Sequence, residues 1–147
     1  NGVQYPGFRR YNYDGYGEQT NDGSNFRDGG QKELRRGRVW PFFTGERGHY
    51  ELAKVKAKSG GTISNSQVKQ LRDTYVRGME YFANDSFVLP EQVWDGVGDN
   101  STHQYNLGEA TNGATPLAWT HAEYVKLVKS LTDKNVWDSY DVAKGRY

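Results

Sequence analysis

Apolar and polar positions along the chain fall into three helical patterns joined by long irregular stretches. The first helix is expected over residues 45–58, ending before Gly60 and Gly61. The second has the clearest signature: Ser64 and Gln67 match a capping box, and Val68, Leu71, Tyr75, Met79 and Phe82 recur at helical spacing. It should stop near Asn84. The third is expected to start with Thr115 as N-cap and Pro116 at the first helical position. Leu117, His121, Tyr124, Val128 and Leu131 make its apolar-leaning stripe. The chain shows no defensible strand pattern and no internal repeat.

The stretches between the helices are unusually long. Residues 1–38 are rich in Gly, Asn, Asp, Tyr and Arg, with turn pairs such as Asp14-Gly15 and Asp22-Gly23. The loop between the second and third helices carries "VLPEQVWDG" at 88–96. Pro90 pushes Leu89 out of the helical region, so Glu91 is expected in a fixed turn close to an aromatic, Trp94. Loops of such length usually carry function or lean on a larger body. Three helices with two long loops make a poor free-standing domain. Aromatics and a carboxylate gathered in loops are what an α/α barrel presents at one end, and the chain reads as a slice of one.

Composition narrows the classes. The chain has 147 residues, the size of one ordinary domain. Aromatics reach 14% while the hydrophobic fraction is 35%, which implies a ring-rich polar surface over a modest core and not a disordered chain. Net charge is +1, without the clustered basic excess that nucleic-acid binding needs. No apolar run approaches the roughly 20 residues of a membrane helix, so no membrane partner is expected. The absence of cysteine excludes disulfides, thiolate metal sites and cysteine nucleophiles. The chain opens on Asn1 with no apolar leader, and is expected to begin at a cut, as a mature product or a piece of something longer. His49, His103 and His121 are too scattered for a histidine metal site. Asp95, Asp99 and Asn100 match no calcium-loop spacing and read as a polar turn, so no cofactor is expected.

Four stretches carry a resemblance. They are "RYNYDGYGE" at 10–18, "GRVWPFFTGERGHYELA" at 37–53, "PEQVWD" at 90–95 and "GATPLAWTHAEYVKLVKSL" at 113–131. Together, and in this order, they resemble the C-terminal part of the glucoamylase and glucodextranase family of inverting exo-glucosidases. Tyr13 departs from the histidine that bacterial members tend to have there. The resemblance implies an all-α fold, the C-terminal portion of an (α/α)6 barrel with long functional loops. The remainder of the barrel would be carried on a complementary polypeptide. It further implies a pocket for the non-reducing end of an α-glucan, release of glucose with inversion, and an extracellular or periplasmic setting.

Inverting glycosidases use two carboxyl groups roughly 6.5–9.5 Å apart, one an acid and one a base for the attacking water. The resemblance makes Glu91 the general base. Without it, Glu91 would read as a surface loop carboxylate, because most glutamates are exposed. Arg10 and Tyr11 match the Arg-Tyr pair with which the family grips the terminal glucose, a use suited to the planar donor fork of arginine. The register between Arg9 and Arg10 stays open, as does the plainer reading of a surface arginine. Trp40 matches a pocket tryptophan and would otherwise read as a core aromatic. Trp94 is a further candidate sugar contact. Trp119, His121 and Glu123 match the family but sit at helical spacing that suggests barrel packing, and Glu46 with Arg47 reads as a structural ion pair.

The general acid has no counterpart here: neither Glu18 nor Glu33 lies in a setting like the acid's motif. Two classes of function follow. One is an exo-glucosidase whose other piece supplies the acid; the other is a non-catalytic glucan-binding or structural subunit. Within the enzyme class, α-1,4 or α-1,6 hydrolysis and transfer of glucose to another sugar, as in dextran formation, stay open. In isolation the stripes at Val68, Leu71, Tyr75 and Phe82, and at Leu117, Tyr124, Val128 and Leu131, are expected to face water.

Overall fold

The structure, a computed structural model, describes residues 2–12, 14, 16, 18, 20–24, 37–137, 139, 140 and 142. Tyr13 and Glu33 lie outside the described residues. The elements are α1 (Pro41–Lys58), α2 (Asn65–Leu71), α3 (Arg77–Tyr81) and α4 (Ala118–Asp133), with a π-helical turn over Arg72–Val76. Leu71 and Val76 keep right-handed helical backbones, so α2, the π turn and α3 run as one rod. Ser64 and Gln67 cap it reciprocally as expected, at 3.2 and 2.9 Å.

Two helix starts differ from expectation. The first helix begins about one turn before Gly45, because Pro41 takes the first helical position. Its fixed φ suits that position, and an N–H there would have no intrahelical partner. The third pattern, now α4, starts later than Pro116. Leu117 is extended (φ −107°, ψ 118°) and donates its N–H to the Leu89 carbonyl at 3.0 Å, which binds it to the loop before the helix begins.

The stripe expected on α4 is also displaced. Its buried face is Thr120, Glu123, Leu127, Ser130 and Leu131. Leu117, His121, Tyr124 and Val128 are half-buried at its flank. Polar partners select that face: Thr120 donates to the Pro90 carbonyl at 2.9 Å, and Glu123 meets His49 of α1 at 2.9 Å. An apolar pattern cannot register such residues. Arg47 pairs with Glu51 one turn on, at 2.7 Å, and not with its neighbour Glu46 as expected. Successive helical residues point in different directions.

The core is Leu52, Ile63, Leu71, Val76, Met79, Leu127 and Leu131, where α1 and α4 close over the central rod. Of the side chains expected to face water, Leu71, Phe82 and Leu131 are buried and the others half-buried. The chain's own helices cover both stripes, so that expectation is corrected.

Above the helices, residues 89–94 run between two neighbouring stretches. Val93 bridges Val39 on one side and Ala110 on the other, and no strand forms among the described residues. Val93 donates to Val39, Trp94 to Glu109, and Glu91 to Ala114, at 3.0, 2.8 and 2.8 Å.

Close approach of α1 to its neighbours depends on Gly48. A Cβ there would stand 2.8 Å from Leu127 Cδ1 and 3.0 Å from Tyr75 Cβ. Overpacking costs about 1–3 kcal/mol, against a helix-propensity gain of about 1 kcal/mol for Gly→Ala. Gly48→Ala is therefore expected to lower the melting temperature. A rise would show that α1 and α4 do not pack this closely.

Candidate active site

Glu91 follows Pro90, whose carbonyl is held by Thr120, and Leu89, whose N–H is donated to His121 Nε2 at 3.0 Å. The first turn of α4 thus grips the two residues before the carboxylate. Glu91 itself is only 8% exposed. Its N–H is donated to the Ala114 carbonyl, and its Oε2 accepts the Ala114 N–H at 3.0 Å. Gly113 permits this, since a Cβ there would lie 3.2 Å from that oxygen. Trp119 and His121, expected in barrel packing, take different parts: Trp119 stacks on Phe42 with ring centroids 4.1 Å apart.

The Tyr16 phenol lies within electrostatic reach of the Glu91 carboxylate. The negative charge of Glu91, then burial, raises the Tyr16 pKa and keeps the phenol protonated beside the carboxylate. The Tyr16 ring stacks on Trp40 at 5.6 Å and 24°. The Arg10 guanidinium lies 4.7 Å from the Tyr16 ring centre and 4.9 Å from that of Trp40. Asp14 holds it with two bonds of 2.6 and 2.5 Å, and this bonding raises the Arg10 pKa. A carboxylate, a phenol, an indole and a clamped guanidinium therefore stand together.

Among the candidates, Glu91, Arg10 and Trp40 converge on this cluster. Tyr11 is next to it, 5.5 Å below the Arg10 guanidinium and 61% exposed. Arg9 turns away to Asp95, which assigns the cluster position to Arg10. Trp40 is 5% exposed and edge-packed on Phe42, as a core aromatic is, while its other side faces Tyr16. Trp94 is not brought to the cluster; it is buried 4.1 Å beneath the Arg38 guanidinium and beside Tyr105. Asp95, Asp99 and Asn100 are engaged by Arg9 and Arg38, by Ser101, and by Tyr105 respectively. Tyr16, Asp14 and Arg38 escaped the sequence reading as site residues, although they lie inside the stretches "RYNYDGYGE" and "GRVWPFFTGERGHYELA".

Glu18 is fully buried against Arg38, with bonds of 2.9 and 2.8 Å, and accepts the Gly23 N–H. Burial pushes its pKa up to about 7, against the opposing pull of Arg38. Clefts of about 350, 430 and 570 Å³ lie elsewhere on the chain, and none is lined by Glu91.

A buried carboxylate held by a backbone N–H, with a phenol and an arginine-braced aromatic shelf nearby, is an arrangement suited to acid–base work on a sugar. The chain belongs to glycosyl hydrolases family 15, which it matches over residues 1–129. It is 37% identical to a glucoamylase of Clostridium sp. (strain G0005) over 142 residues, which are 97% of this chain and 16% of that protein. A bacterial glucoamylase crystallised with acarbose is similar in structure, with a TM-score of 0.68 and 37% identity over 97% of this chain and 17% of the other. The all-α fold is accordingly a portion of an (α/α)6 barrel, as expected. The chain spans about one sixth of the length of these relatives.

The Glu18 shift has a testable sign. With its folded pKa raised to about 7 from an ordinary 4.5, the folded state holds a proton that the unfolded state releases. The associated stability is present below the unfolded value and is lost as pH rises through the folded one. Glu18→Gln should therefore flatten the fall in melting temperature across that window. An equal fall in both proteins would show that Glu18 is ionised throughout.

Proposed function

We propose that this chain is the base-bearing portion of an inverting, exo-acting α-glucosidase of the glucoamylase type. The observation that carries this reading is the Glu91 carboxylate, buried yet held by the Ala114 N–H, with the Tyr16 phenol, Arg10 and Trp40 gathered beside it. General-base catalysis requires such fixed geometry before any tuning of pKa. The family and its glucoamylase relatives support an α-glucan substrate, and the acarbose complex of one relative is in keeping with a carbohydrate ligand.

In this reaction Glu91 removes a proton from a water as the water's oxygen attacks the anomeric carbon. The glycosidic C–O bond breaks on the opposite face. The leaving oxygen takes its proton from a general acid, and the sugar is released with inverted configuration. Arg10 and Tyr11 grip the terminal glucose, while Trp40 is the candidate aromatic contact; Trp94, covered by Arg38, is left to hold the loop. Asp14 and Glu18 are both engaged by arginines, so the acid comes from the rest of the barrel, on a complementary piece of the protein. The outer face of α4 supports such a neighbour: Ala118, Trp119, Ala122 and Val125 are exposed along it.

Glu91→Gln, in the protein that carries this chain, keeps the shape and removes the base. It should lower kcat on maltooligosaccharides by roughly 10²–10⁴ while substrate binding survives. Hydrolysis at near wild-type rate would remove Glu91 from the base role. Trp40→Ala should raise KM, and should also lower the melting temperature because the ring supports Tyr16 and packs on Phe42. A stability loss with KM unchanged in the folded enzyme would make Trp40 a packing residue only.

A further inference from the structure

We infer that Arg38 is the positioning residue that sets the aim of Glu91 and joins it to the sugar-gripping arm. The inference rests on the reading of Glu91 as the base. Arg38 lies next to Val39, which accepts the Val93 N–H at 3.0 Å, and its own N–H is donated to Gln92 Oε1 at 3.0 Å. Its side chain is fully buried and reaches further along the same segment. Nη1 donates to Asp95 Oδ1 at 2.9 Å and to the Val97 carbonyl at 2.5 Å, and the guanidinium plane covers Trp94. One side chain and one peptide thus fasten residues 92, 94, 95 and 97, immediately beyond the carboxylate.

The other half of the network runs to the substrate arm. Asp95 accepts from Arg9 through its second oxygen, at 2.9 Å from Arg9 Nε, and Arg9 directly precedes Arg10. Glu18 takes Arg38 Nε and Nη2 at its single Oε2, and stands in the same stretch as Asp14 and Tyr16. The base and the residues that face it therefore share one buried cation. No other side-chain type fits this arrangement. Lysine keeps the charge but presents donors from one point, whereas arginine spreads five over a rigid plane.

The function is positional, so its loss should appear in turnover and not in ground-state binding. Misplacement by about 1 Å can cost 10²-fold in rate. In the intact enzyme, Arg38→Lys is expected to lower kcat of the folded fraction by roughly 10–100-fold with KM within about twofold of wild type. A residue needed only for folding would reduce the yield of folded enzyme and leave its kcat per binding site unchanged, which would overturn the inference. If Arg38→Lys does not fold, Asp95→Asn decides, since it keeps the oxygen that accepts from Arg38 and weakens both arginine anchors. A drop in its kcat at constant KM supports the inference, and a wild-type kcat sinks it. Glu91→Gln run alongside separates the two questions: an active Glu91→Gln would dismiss the base itself, while an inactive one beside an unaffected Arg38→Lys would dismiss only the positioning.

Discussion

Taking a guanidinium out of water is tolerable only where acceptors replace the water, and Arg38 meets that condition with Glu18, Asp95 and the Val97 carbonyl. Removing one partner of a buried ion pair costs about 3–5 kcal/mol because the other charge is left stranded. That asymmetry fixes where the loops can go. The stretches around residues 18, 38–39 and 92–97 are tied together by this shared ion network and by the bridges around Val93, with Val93 and Trp94 themselves buried. The loop end of the chain is therefore cross-linked by ion pairs as well as by packing, whereas the helical end is organised by packing.

The two halves meet at Leu89 and Pro90. The helices supply a rigid frame through Leu52, Met79, Leu127 and Leu131, all fully buried. The frame is transmitted to the loop by two hydrogen bonds from the first turn of α4, Thr120 to the Pro90 carbonyl and the Leu89 N–H to His121. From there Glu91 is clamped to Ala114 through both its backbone and its carboxylate. A carboxylate on a loop of this length would ordinarily wander. Here it is fixed from the helix side by α4 and from the far side by Arg38.

The helices were legible because they follow rules of spacing and capping. The Ser64–Gln67 box and the apolar spacing through Phe82 placed the central rod, and Gly60 and Gly61 marked the end of α1. What could not be read was polar. The buried face of α4 is chosen by Thr120, Glu123 and Ser130, which an apolar pattern assigns to solvent. Arg38 shows the same limit: a lone arginine ahead of Val39 and Trp40 carries no sign that its acceptors lie far along the chain in both directions. In the site, Glu91, Arg10 and Trp40 came from resemblance. Tyr16 and Asp14 became visible only when the chain's turns brought them against those residues. Trp94 illustrates the reverse, an aromatic close to the carboxylate in sequence whose ring is taken up by Arg38 and Tyr105.

The division between helical frame and ionic loops bears on what the chain can do by itself. Inversion needs two carboxyl groups with room for a water between them, and the described carboxylates nearest in sequence to the cluster, Asp14 and Glu18, are committed to arginines. Glu91 itself is only 8% exposed, and one of its carboxylate oxygens accepts the Ala114 N–H. Electrostatic aid to a charged transition state is weak in open water and strong in an enclosed site of low dielectric. On the reading proposed above, the acid is supplied from another part of the barrel. The exposed Ala118, Trp119, Ala122 and Val125 face of α4 is a surface on which a further helix could close. On this view the chain contributes an aimed base, and the surrounding barrel makes that base effective.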